Sequence, residues 1–249
     1  MDDLLADLGV QHAELWSLIE GLPPAGWRAS SPCEGWDVAD VVLHLHQTDE
    51  LALASLRGDL EASIQTFMHP GADAVDAAAA ASVANARGVP GTDIGEQWRA
   101  SATALRELLA VTDPRERLQW IVGRLSARTL AATRLAECWI HTTDVATALG
   151  TTVAPAARLR HVARLAWRTI PYAFERAGRV LHGPVGFDLV GPDGDAWRFG
   201  LDDDPSTVVS GPGADLCRVA GRRAEPDATA LVATGPDAEA VLELVRTYA

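Results

Sequence analysis

Lysine is absent from this 249-residue chain, and all 21 basic residues are arginine. That absence excludes Schiff-base chemistry through a lysine amine, and it leaves arginine as the anchor for an anionic group. Cysteine is sparse. Cys33, Cys138 and Cys217 are odd in number, far apart and without CxxC spacing, so neither a disulfide framework nor a thiolate zinc site is expected. No run of about 18 apolar residues occurs, so no membrane span is indicated. The N-terminal MDDLLADLGV lacks the basic segment and cleavage site of a secretory signal, and the chain is expected to stay in the cytoplasm. Positive charge is in deficit as well. Against 34 acidic residues, the 21 arginines leave a net charge of −13, the wrong sign for neutralising nucleic-acid phosphates.

What is present is ordinary globular material, 48% apolar and 22% charged, in a length that suits one large domain or two modest ones. Leu4, Leu5, Leu8, Val10, Leu15, Leu18 and Ile19 space an amphipathic helix over 3–20, stopped by Gly21 and the Pro23–Pro24 pair. Asp37, with Asp40 three residues on, has the pattern of a capping box opening a helix that runs to about Leu56. Residues 57–92 are weakly patterned; their Ala-rich segment 72–87 can be helical by propensity or serve as a mobile cover. Further helices are expected over 93–111, from about Ala127 to Leu149 with Gly150 closing it, and over 155–178. After Gly178 the texture changes. A hairpin around GPDGD, a strand in STVVSG, a helix in ADLCRVAGRR, a strand in ATALVATG and a terminal helix in DAEAVLELVRTYA follow in turn. The expected fold is therefore mainly α with a small α+β part: a helical region over 1–178 and an α+β region over 179–249.

The stretch RLAECWIHTTD carries the chemistry. Glu137 and His141 lie four residues apart, one helical turn, and point the same way, while Arg134 and Asp144 share their face. The rest of that helix is Ala, Leu, Trp and Ile nearly all round, so it is expected to be buried on most sides. A buried carboxylate needs a partner. A Glu–His hydrogen bond, an Arg134–Glu137 ion pair or a metal ion would each serve. His44 supplies a second imidazole on another apolar helix, in DVVLHLHQTDEL, with Gln47, Thr48 and Leu51 following on its face. His46 is rotated by about 160° and is expected to face solvent. Two histidines and one carboxylate from two helices give three ligands with open positions, the pattern of a catalytic metal.

At these residues the sequence resembles a known family. GWDVADVVLHL is similar to the "GW…HLA" signature of the DinB-like, mycothiol-dependent maleylpyruvate isomerases. TRLAECWIHTTDVATALG resembles their second signature, E-x-x-x-H followed by D-V-A. The first helix with GWR, the stretch LRHVARLAWRT and the closing ALVATGP resemble an actinobacterial subgroup described as metal-binding proteins. The resemblance covers nearly the whole chain. It implies a DinB-like four-helix bundle followed by a C-terminal domain resembling sterol carrier protein type two. It also implies a divalent metal, usually zinc, at the positions matched by His44, Glu137 and His141, and mycothiol as the thiol. An arginine of the C-terminal domain is implied at the active site, and Arg222 and Arg223 lie in the comparable segment. The chain departs from its subgroup before the long helix: where relatives carry GPPMS it has GRLSA, which sets Arg124 at the expected pocket mouth.

Three functions fit these residues. The first is a metal-dependent isomerase or thiol transferase acting on a small anionic or electrophilic molecule through a metal-activated thiol. The second is a thiol-independent hydrolase, lyase or cyclase, and the third a non-catalytic metal-stabilised binding protein. Neither nucleic acid nor membrane is an expected partner. Asp144 is expected to take the second imidazole N–H of His141, with Gln47 as a further pocket group. Cys33 sits just before a helix, where a thiolate could be favoured, with a structural thiol as the preferred reading, and Cys138, about 100° from Glu137, is not a ligand. Trp36, Trp98, Trp120 and Trp139 are expected in the core, with one available to line the pocket. The acidic 201–205 loop is expected to be solvated.

Overall fold

The computed structural model describes residues 1–67, 75–121 and 123–247. Contacts divide the chain into two units, Met1–Val153 and Ala154–Ala249.

The first unit contains α1 (Asp2–Ile19), α2 (Pro24–Trp27), α3 (Val38–Arg57), α4 (Leu60–Phe67), α5 (Val75–Asn85), α6 (Gly91–Val111), β1 (Arg117–Trp120), β2 (Gly123–Ser126) and α7 (Ala127–Ala148). Helices α1, α6, α3 and α7 form a ring in which each packs on its two neighbours, a four-helix bundle. The capping box at α3 is present in full: Asp37 accepts from the Asp40 backbone and Asp40 accepts from the Asp37 backbone. Gly58 ends that helix at φ +83, a conformation that glycine adopts without strain. Ser126 caps α7 by accepting from the Thr129 N–H. Leu15, Ile19, Val41, Leu45, Ile94, Trp98 and Cys138 meet in the interior.

Two stretches that the sequence leaves undefined take regular structure. The described residues of 57–92 include two helices, α4 and α5, that pack on α3 through Leu60, Ala78 and Ala79 against Leu51. Alanine favours the helix intrinsically but leaves few large side chains to mark a face, which is why the pattern was weak. The start of the Ala-rich segment, up to residue 74, lies outside the described residues. Around LQWIVGRLS, β1 and β2 pair antiparallel, with Arg117 opposite Ser126 and Trp120 opposite Gly123. Four-residue strands are too short to display alternation.

The second unit contains α8 (Leu159–Arg176), β3 (Val185–Val190), β4 (Ala196–Phe199), β5 (Thr207–Pro212), α9 (Gly213–Ala220), β6 (Val232–Thr234) and α10 (Ala238–Leu244), with a 3-10 turn at Pro226–Ala228. Its sheet has the order β4-β3-β5-β6, with β3 and β5 parallel and the other pairs antiparallel. Phe174, Phe187, Leu189, Trp197, Val209, Leu216 and Cys217 are buried. The helix expected to close the bundle region, α8, instead packs on α9, α10, β3 and β4, so the division falls before residue 159 rather than at 178. Its stripe of Val162, Ala166, Ile170 and Phe174 is buried. Such a stripe demands a partner face without naming it, so the sequence leaves its owner open. The closing helix is shorter than expected, and its last two residues lie outside those described. Among the described residues no helix is long and apolar enough to cross a membrane.

Candidate metal centre

Helices α3 and α7 lie side by side and bring His44, Glu137 and His141 together. One pair fixes the register between the two helices. Arg134 donates through Nε to Asp49 Oδ1 at 2.9 Å and through Nη2 to Thr48 Oγ1 at 2.7 Å. Both charged residues are about 2% exposed, so each charge depends on the other. The Arg134–Glu137 alternative is thereby set aside: the guanidinium reaches across to α3 rather than along its own helix.

One turn along from that pair, Glu137 Oε2 lies 3.5 Å from His141 Nε2 and 3.7 Å from His44 Nε2. The three donor atoms all fall within 4.8 Å of one another. These separations exceed ordinary hydrogen bonds. They are close to the spacing of about 3.3 Å between neighbouring donors around a tetrahedral ion with bonds of about 2.0–2.1 Å. The two imidazole rings meet edge-on, with centroids 5.0 Å apart. The donor set is that of a divalent transition metal, two nitrogens and one carboxylate, and the residues present fit such an ion.

The charges fit as well. Burial pushes the His44 pKa down, against the pull of Glu137, and favours the neutral form that offers a lone pair. Burial opposes ionisation of Glu137, yet contacts with His141 and His44 hold its carboxyl well below the usual range. Burial also opposes charge on His141, but Asp144, Cys33 and Glu137 together raise its pKa well above the ordinary value. Two carboxylates flank this imidazole, so the pocket calls for a positive charge, supplied by a proton or a cation.

Asp144 Oδ2 sits 2.9 Å from His141 Nδ1 and is 1% exposed, in the expected place. Gln47 points elsewhere for its donor: Nε2 bonds Ser82 O at 3.1 Å on α5. Its Oε1 and His44 Nδ1 have no hydrogen-bond partner among the described residues. Arg222 is exposed at φ +58 and bonds Glu243 O at 2.9 Å, while Arg223 bonds Gly221 O at 3.0 Å, both within the second unit. Arg124 bonds Arg117 O at 2.8 Å across the hairpin. His46 is a correction: it is half-buried and bonds Ser101 Oγ at 3.0 Å, because α3 packs on α6 as well as α7.

Two residues of the site escaped the periodicity argument. Trp36 stands against the histidines, its ring centroid 5.2 Å from that of His44 and 6.5 Å from that of His141. Trp36 also walls an open cleft of about 500 Å³ whose rim carries Arg28, Asp37, Asp40 and Arg87. Cys33 is half-buried, with Sγ 3.3 Å from Asp144 Oδ2. The available signal was position: PCEGW immediately precedes the cap of the helix that carries His44.

The description "Mycothiol maleylpyruvate isomerase N-terminal domain" belongs to the family whose sequence model matches residues 8–146. Two uncharacterised proteins of Mycobacterium tuberculosis, from strains CDC 1551 and H37Rv, are each 34% identical over 250 residues, covering 98% of this chain and 95% of theirs. The crystal structure of the mycothiol-dependent maleylpyruvate isomerase superposes with a TM-score of 0.60 at 17% identity, covering 92% of both chains. A His-to-Ala variant of that enzyme gives 0.57 at 18% identity with the same coverage. These likenesses support the expected fold, a DinB-like helical bundle with a C-terminal α+β part. On the strength of the family match and the near-full-length relatives, the chain belongs to the mycothiol maleylpyruvate isomerase family.

Proposed function

We propose that this chain is a metal- and thiol-dependent enzyme, an isomerase or thiol transferase, with a divalent cation, zinc by preference, on His44, Glu137 and His141. The observation that carries the reading is the convergence of two imidazole nitrogens on one carboxylate oxygen at 3.5 and 3.7 Å inside a largely apolar bundle. Likeness to a mycothiol-dependent isomerase supports a low-molecular-weight thiol of that type as cosubstrate. A divalent cation at this position supplies Lewis acidity and lowers the pKa of a thiol that it binds, so that a nucleophile exists at neutral pH.

The chain's own groups do the rest. His44 and His141 would contribute neutral lone pairs and Glu137 the one negative charge, a ligand set that would leave a divalent ion with net positive charge. Asp144 holds the His141 proton on Nδ1 and turns Nε2 towards Glu137. Trp36 covers the two imidazoles and limits access by water. A small electrophilic or anionic molecule is the substrate class. An arginine is the proposed kind of recognition group for its carboxylate, because an arginine fork matches a carboxylate bidentately and the chain has no lysine. A reducing cytoplasm, where such thiols persist, is the proposed location.

Titration of N-acetylcysteine into the Co²⁺ form tests the reading. A saturable sulfur-to-cobalt charge-transfer band is expected in the wild type, with mycothiol-dependent turnover of maleylpyruvate or a related acid. Turnover that needs the metal but no thiol, without such a band, overturns the thiol part in favour of a hydrolase, lyase or cyclase.

A further inference from the structure

The loop before α3 is held by its own backbone. Ser31 N–H donates to Trp36 O at 2.9 Å, Trp36 N–H donates to Cys33 O at 3.0 Å, and Ser30 bridges Asp37. The Cys33 N–H is taken by Ser31 Oγ at 3.2 Å. This small frame fixes where the Cys33 thiol stands. Its Sγ lies 3.3 Å from Asp144 Oδ2, the same oxygen that lies 2.9 Å from His141 Nδ1. One carboxylate oxygen thus receives an S–H from the loop and an N–H from the imidazole.

We infer that Cys33 is a positioning residue for His141, acting through Asp144 and through its own contact with the imidazole. The inference rests on the metal reading above and deepens it. A lone carboxylate can rotate about its terminal torsion and draw the imidazole proton strongly. A second donor on Oδ2 pins that rotation and takes up part of the charge. A thiol is a weak donor, so it fixes the carboxylate while leaving most of its charge for His141. The other two thiols have no such part: Cys138 packs in the bundle, its thiol near Gln11 O and Thr142, and Cys217 is buried in the second unit.

The full-length chain loaded with Co²⁺ provides the test. Replacing Cys33→Ala is expected to weaken cobalt affinity about three- to tenfold and to shift the ligand-field bands, less than loss of Asp144 itself. Cys33→Ser should recover affinity to within about twofold, since a hydroxyl donates to the same oxygen. In an Asp144→Asn background, Cys33→Ala should add less than it does alone, because the two residues share Asp144 Oδ2 as their link to His141. Unchanged affinity and bands in Cys33→Ala would overturn the inference, as would losses that simply add in the double variant. A charge-transfer band in the thiol-free wild type that vanishes in Cys33→Ser would also overturn it, by making Cys33 a ligand. Failure of the wild type to take up cobalt would sink the metal reading alone. The metal-free chain then still reports on Cys33, through the NMR shift of the His141 Nδ1–H proton. That signal should move in Cys33→Ala and return in Cys33→Ser, and a signal that stays put contradicts the inference.

Discussion

The two units differ in what they bury. In the second, the described interior is apolar apart from Thr207, Asp237 and Thr247. The ion pairs Arg179–Glu243 and Arg198–Asp188 lie at its surface. In the first, Gln11, His12, Asp49, Arg134, His141, Thr142 and Asp144 are all buried. Stability alone favours the second arrangement, because a buried polar group is costly unless matched. The first unit matches most of its groups in pairs, Arg134 with Asp49 and His141 with Asp144. Among the described residues, matching is incomplete at His12 Nδ1 and at His44 Nδ1, and Glu137 stands beyond ordinary hydrogen-bond distance from the two imidazoles.

Acid should widen that difference most. Burial, with Arg106 and Arg134 adding to it, lowers the His12 pKa from 6.5 to about 3. In the folded chain His12 stays neutral across that range, while in the unfolded chain it takes a proton below pH 6.5. The unfolded state therefore binds more protons, and the bundle loses stability as pH falls from 6.5 towards 3, by on the order of 4–5 kcal/mol. Denaturant unfolding at several pH values checks this, and His12→Gln should remove that part of the slope. An equal slope in both proteins would show that His12 is not the cause.

The buried pair comes next. Asp49→Ala leaves the Arg134 guanidinium uncompensated and is expected to cost about 3–5 kcal/mol, whereas Asp49→Leu with Arg134→Met together should recover much of the loss. Equal destabilisation in the single and double variants would contradict the pairing. Asp144→Ala should weaken metal affinity by about 10–100-fold, measured by competition with a chelator, with the fold intact by circular dichroism. Smallest is Arg179→Ala in the second unit, which should not move the denaturant midpoint measurably, since its pair with Glu243 is solvent-exposed. A large loss there would erase the contrast between the units.

The site was legible in the sequence to the extent that it is helical. A 3.6-residue period converts spacing directly into a shared face, so Glu137 and His141 could be paired from sequence, and Asp144 placed beside them. The capping box at Asp37 set the phase of α3 and hence of His44. Cys33 was legible only as a thiol ahead of a helix. No period governs the loop Ser31–Trp36, whose course depends on the helix it packs against. The same limit explains α8. Its amphipathic stripe was evident, but which unit that stripe covers depends on tertiary packing. Arg134 shows a further one: helical spacing offers Glu137 as its partner, whereas the fold pairs it with Asp49 on another helix.

The central claim is that His44, Glu137 and His141 together hold one divalent ion. Elemental analysis of the purified full-length chain beside Glu137→Ala tests it most directly. The account predicts about one divalent ion per wild-type chain and under about a tenth of that in the variant. Equal metal content in the two proteins, or none in the wild type after equilibration with Zn²⁺, would contradict it.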